Sequence, residues 1–108
     1  YIRNIRPADE RVVLVGTGGL THWVGIEPSG KMNFSFDKKV LDLFGAGRAE
    51  ELTQMSGEEI IAIAGNGGIE VANWIVVAGA THGRPAKTIY YEAMPEWWTG
   101  MSGIQIAV

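Results

Sequence analysis

Two glycine-framed loops each deliver one side chain of a type that exchanges protons: Gly16-Thr17-Gly18-Gly19-Leu20-Thr21-His22-Trp23, and Gly65-Asn66-Gly67-Gly68-Ile69-Glu70-Val71-Ala72-Asn73-Trp74. The first loop follows a short apolar run and the second precedes one, so His22 and Glu70 are expected to converge at the edge of an α/β sheet, where ligands commonly bind. Glycine permits positive φ and close backbone approach, which makes Gly18 and Gly19 candidate substrate contacts. Phosphate-binding alternatives fail on spacing. A P-loop needs a Lys after its last Gly, and a dinucleotide turn needs a third Gly where this chain has Thr21 in one loop and Glu70 in the other.

The elements that must position these residues are legible from patterning. Arg11-Val12-Val13-Leu14-Val15-Gly16 is a β-branched apolar run, expected to form a buried strand that ends at the first loop. After the turn signal Pro28-Ser29-Gly30, the stretch from Phe34 to Phe44 predicts an amphipathic helix. Its apolar face carries Phe36, Val40, Leu41, Leu43 and Phe44, and its polar face Asp37, Lys38, Lys39 and Asp42. A short helical pattern runs from Arg48 to Met55. Ser56 as N-cap with Glu59 three residues on forms a capping box that opens a further helix to about Ala64. Glu70 to Ala80 has only Asn73 as a polar interruption after Glu70; it is expected to be a buried helix packed on the sheet, with Glu70 favoured at its N-terminal end by the helix dipole. Lys87 to Glu92 reads as a strand, Pro95 to Gly100 as an aromatic loop, and Gly103 to Val108 as a last strand.

Composition bounds the class. With 108 residues, 46% hydrophobic and 19% charged, the chain supports one modest core. A net charge of −3 with scattered Lys and Arg offers no footprint for nucleic acid or an anionic membrane surface. The absence of cysteine fits a reducing compartment, and a cytoplasmic location is expected. Tyr1 to Arg6 reads as the last turn of a helix and the chain closes on an apolar run, so both ends look cut and a longer protein is expected.

Several of these segments together resemble a known family. Val-Gly-Thr-Gly-Gly-Leu-Thr-His (15–22), Asn33 to Asp37 with Leu41 following, Gly-Asn-Gly-Gly-Ile-Glu-Val-Ala-Asn-Trp-Ile (65–75) and Tyr-Tyr-Glu (90–92) resemble the C-terminal part of the class III extradiol ring-cleavage dioxygenases. The resemblance implies that residues 1–108 are the C-terminal portion of a single larger α/β domain, a mixed sheet flanked by helices. It implies a non-haem Fe(II) site of two histidines and one carboxylate that takes a catechol and O2, with a likeness to enzymes of protocatechuate and gallate. The carboxylate ligand falls on Glu70 and the acid/base residue on His22. The two ligand histidines belong to an N-terminal portion that nothing here matches. A homo-oligomer is the assembly implied, with a small helical partner subunit as an open alternative.

Other readings remain open on the residues themselves. Trp97, Trp98 and Thr99 could wall an aromatic pocket, or serve as core and interface. His82 could be a further ligand beside His22 and Glu70, or a solvated loop residue. The same loops could hold an aromatic acid without metal or catalysis. His22 and Glu70 could also act as the acid/base pair of a metal-independent hydrolase or lyase.

Overall fold

The computed structural model describes residues 5, 7, 9–25 and 31–107. The turn expected at Pro28-Ser29-Gly30 and nearly all of the expected helix end at Tyr1–Arg6 lie outside them. Helix α1 (Phe34–Gly45) opens where Asn33 accepts a hydrogen bond from the Phe36 amide through its side chain, meeting one of the donors that a helix start leaves free. It closes in a left-handed turn at Gly47 (φ 70°), where Gly47 N–H donates to Phe44 O and Arg48 N–H to Leu43 O. Between these caps, Phe36, Val40 and Phe44 recur every fourth residue and are buried, as their spacing predicts.

A 3-10 segment (Ala49–Gln54) leads to α2 (Gly57–Ala64), whose capping box is present in full. Ser56 N–H donates to Glu59 Oε2 at 2.7 Å, and Glu59 N–H donates to Ser56 Oγ at 3.2 Å. Gly65 stops the helix at φ 91°. A single 3-10 turn (Gly68–Glu70) then runs into α3 (Val71–Ala80). Val71, Trp74 and Ala78 bury one stripe of α3, and the Trp74 indole meets Phe44 edge-on at 6.0 Å between ring centroids.

Strands β1 (Ala86–Met94) and β2 (Thr99–Ile106) form an antiparallel hairpin, from Ala86 opposite Ile106 to Met94 opposite Thr99, with an irregularity between Thr88 and Tyr90. The connection is a 3-10 turn, Pro95–Trp97, followed by Trp98 in the left-handed region. Helices and sheet together give the α/β class expected. The core joins α1, α2, α3 and the first loop through Leu20, Phe36, Val40, Phe44, Leu52, Ile60, Val71 and Trp74.

Three expectations need correction. The run Val12–Val15 forms no strand among the described residues, and Val13 and Val15 are 84% and 70% exposed. A strand needs a ladder partner and cover on its faces, and the described sheet consists of β1 and β2 alone. Helix α3 is not buried all round: Val76 is 68% exposed, and the helix packs chiefly on the 3-10 segment Ala49–Gln54 and on α1 instead of the hairpin. Asp37, assigned to the polar face of α1, is fully buried. It shares the stripe of Leu41 and Phe44 at i+4 and i+7, so helix geometry turns it inward and its carboxylate must find donors there. Among the described residues, no helix is long and apolar enough to cross a membrane.

Candidate active site

His22 is held by its backbone from two sides. Towards β2, Leu20 N–H donates to Gly100 O, Gly100 N–H to Thr21 O at 2.9 Å, and His22 itself forms an antiparallel bridge with Thr99. Towards the second loop, His22 N–H donates to Ala64 O at 2.7 Å and Gly67 N–H donates to His22 O at 2.9 Å. Asn66 extends this contact with a two-point clamp on Val24, its Oδ1 accepting from Val24 N–H and its Nδ2 donating to Val24 O. The two loops, more than forty residues apart in sequence, therefore form one ledge.

The glycines of each loop make room for the side chain of the other. A Cβ on Gly67 would lie 2.6 Å from His22 Nδ1, and one on Gly65 would collide with His22 O. In return Gly18, at φ 128°, passes so close to Glu70 that its Cβ would stand 2.5 Å from that of Glu70. Gly19 N–H donates to Glu70 Oε2 at 3.2 Å, which orients the carboxylate at the start of α3. Gly18 and Gly19, singled out as substrate contacts, thus lie against Glu70. Thr99 is buried, with its methyl 3.4 Å from where a Gly19 Cβ would be, so it backs the first loop. Trp97 is 61% exposed on the hairpin turn.

His22 is half-buried, and its Nδ1 has no hydrogen-bond partner among the described residues. His82 is exposed just past the C-terminal end of α3, whereas Glu70 stands at its N-terminal end; ten helical residues separate them by about 15 Å. That spacing removes His82 as a companion ligand of Glu70. No group of three His, Asp or Glu side chains among the described residues could hold a metal ion. The ledge carries one oriented carboxylate, Glu70, and one imidazole, His22; a carboxylate held in this way is of the kind that fills one position of a two-histidine, one-carboxylate site.

Sequence reasoning missed the residues that brace the ledge. Asp37 Oδ1 accepts from Thr21 N–H and Thr21 Oγ1, and its Oδ2 accepts from the Tyr91 hydroxyl. Burial, together with the Asp37 carboxylate, pushes the Tyr91 phenol well above the ordinary tyrosine range. Asn73 Nδ2 donates to Thr17 O, tying the first loop to α3. The signal for Asn73 was present, since it interrupts an apolar helix; the signal for Asp37 was its place on the Leu41–Phe44 stripe.

A protein-family profile described as the catalytic LigB subunit of aromatic ring-opening dioxygenase matches residues 2–102, and the chain belongs to that family. Among curated relatives it is similar to gallate dioxygenase of Pseudomonas putida, at 36% identity over 73 residues that cover 68% of this chain and 21% of the relative. It is likewise similar to 2,3-dihydroxyphenylpropionate/2,3-dihydroxicinnamic acid 1,2-dioxygenase of Escherichia coli, at 33% identity over 76 residues covering 68% of this chain and 24% of the relative. The matched part is therefore about a fifth to a quarter of the length of these relatives.

Proposed function

We propose that the protein carrying this chain cleaves a catecholic aromatic acid with O2 in the extradiol manner, using non-haem Fe(II). Residues 1–108 would be the C-terminal portion of its catalytic domain. The observation that carries the reading is the reciprocal packing of the two loops, which sets His22 and Glu70 on one ledge. The family match and the names of the relatives, all dioxygenases of dihydroxy aromatic acids or gallate, support the substrate class.

In this reading Glu70 supplies the carboxylate ligand and two histidines from elsewhere in the protein complete the set. Fe(II), when bound by this set, would supply the Lewis-acid and redox chemistry that an oxygen-dependent ring cleavage requires. Gly19 N–H keeps the Glu70 carboxylate oriented by occupying Oε2. His22, fixed by its backbone on both sides, takes the proton of a catechol hydroxyl as the substrate binds and returns a proton as the ring opens. Thr99 and the loop glycines shape the floor beside it. A cytoplasmic homo-oligomer is part of the same reading.

The two roles separate on mutation in the whole protein. Glu70→Gln keeps the size of the ligand and removes its charge, so iron content should fall and added Fe(II) should restore only part of the turnover. His22→Phe leaves the proposed ligands in place, so iron should be retained while turnover drops by about 10²- to 10⁴-fold. Metal analysis beside oxygen-uptake kinetics reads both. Loss of iron in His22→Phe would make His22 a ligand and overturn the assignment; turnover independent of iron would favour the hydrolase or lyase reading instead.

A further inference from the structure

We propose that Asp37 is a positioning residue for His22, holding the first glycine loop through Thr21; the inference rests on the acid/base role given to His22 above. Asp37 is 0% exposed, a location a carboxylate tolerates only when its oxygens are met by donors. Three donors meet them. Thr21 N–H and Thr21 Oγ1 each lie 2.7 Å from Oδ1, and the Tyr91 hydroxyl lies 2.9 Å from Oδ2.

Thr21 immediately precedes His22 and is itself 0% exposed. Its N–H is bound by Asp37, its carbonyl accepts from Gly100 N–H, and the next amide, that of His22, donates to Ala64 O. The peptide that leads into His22 is thus fixed at its carbonyl by β2 and at its amide by the second loop, while Asp37 fixes the Thr21 side chain and the peptide one residue earlier. Gly100 leaves the space that the carboxylate occupies, since a Cβ there would strike Oδ2. A charged acceptor holds such donors more tightly than an amide oxygen does, which accounts for an acidic residue at this place. Tyr91 anchors the other oxygen to β1, so the hairpin and α1 together set the angle from which His22 meets the substrate.

The test compares four forms of the whole protein: wild type, Asp37→Asn, Thr21→Val and Thr21→Ser. Gallate and protocatechuate serve as probe substrates. Asp37→Asn keeps the shape and removes the charge; Thr21→Val removes the hydroxyl donor, and Thr21→Ser restores it. Asp37→Asn and Thr21→Val should speed backbone amide exchange in the peptide spanning 18–24. They should also lower kcat by about tenfold or more, since small misplacements of a catalytic group have effects of that order. KM should stay within about twofold and iron content should match wild type, and Thr21→Ser should behave close to wild type on every reading. Unchanged exchange in both Asp37→Asn and Thr21→Val, or equal kcat in Thr21→Val and Thr21→Ser, would overturn the proposal. If Asp37→Asn does not fold, the two Thr21 variants decide. If the wild-type protein cleaves neither these probes nor 2,3-dihydroxyphenylpropionate, the ring-cleavage reading fails, while the exchange comparison still decides whether Asp37 holds the loop.

Discussion

The hydrogen atom in place of a side chain at Gly67 is what lets His22 sit where it does. Gly67 has φ −81°, a conformation open to any residue, so the constraint there is steric alone. Gly65, at φ 91°, carries both a steric and a conformational constraint. The two positions should therefore separate. Gly67→Ala should leave the protein folded but push the imidazole aside, lowering kcat/KM by about 10- to 100-fold. Gly65→Ala should lower the thermal midpoint by distinctly more than Gly67→Ala does. Steady-state kinetics and thermal melting of both variants, in the whole protein, check this; equal melting shifts with unchanged kinetics for Gly67→Ala would show that the ring has space to yield.

Among the elements, the capping box of α2 is the feature most directly readable from sequence, and its worth can be measured. Ser56→Ala removes one partner of the reciprocal pair and should cost about 1 kcal/mol of stability, seen in the denaturation midpoint. The hydrogen bonds from Ser56 hold the Glu59 carboxyl below its usual range, so their contribution is present above the ordinary glutamate pKa. It fades as pH falls through the lowered value. The larger part comes from the Ser56 backbone N–H, which Ser56→Ala keeps, so that variant should lose stability in acid much as wild type does, whereas Glu59→Gln should lose less. The face of α1 carrying Phe36, Val40 and Phe44 was equally legible, because its repeat of four is a local property. Asp37 gave a weaker signal: its place on the Leu41–Phe44 stripe points inward, but an acidic residue beside Lys38 and Lys39 reads as solvated until Thr21 and Tyr91, sixteen and fifty-four residues away, are known to face it. The run Val12–Val15 shows the converse failure. Its β-branched residues state a strand preference, but a ladder needs a second strand that local pattern does not supply. In α3, uniform apolarity left no polar face from which to tell the buried stripe of Val71, Trp74 and Ala78 from the exposed Val76. The types and loops of His22 and Glu70 were legible, whereas the reciprocal fit of the loops depended on contacts between distant segments.

At the scale of the molecule, Val12, Val13, Leu14 and Val15 expose an apolar ridge, with Val76 a further apolar residue open on α3. Produced by itself, the 108-residue chain should self-associate through such surface, and it should bind Fe(II) weakly, since one oriented carboxylate does not hold the metal. Sedimentation and metal titration test this; a monomer with micromolar iron affinity would count against it. The backbone bracket around His22 has a further consequence, for the order of assembly. Its bonds join residues 20–24 to 64–67 on one side and to 98–100 on the other, so none can close until segments forty to eighty positions apart have met. Such closures are entropically late compared with the local turns of α1 and α2. The setting of His22 thus reports on completion of the fold: a chain that has regained its helices but neither of these dockings would hold His22 in a loop with no fixed direction.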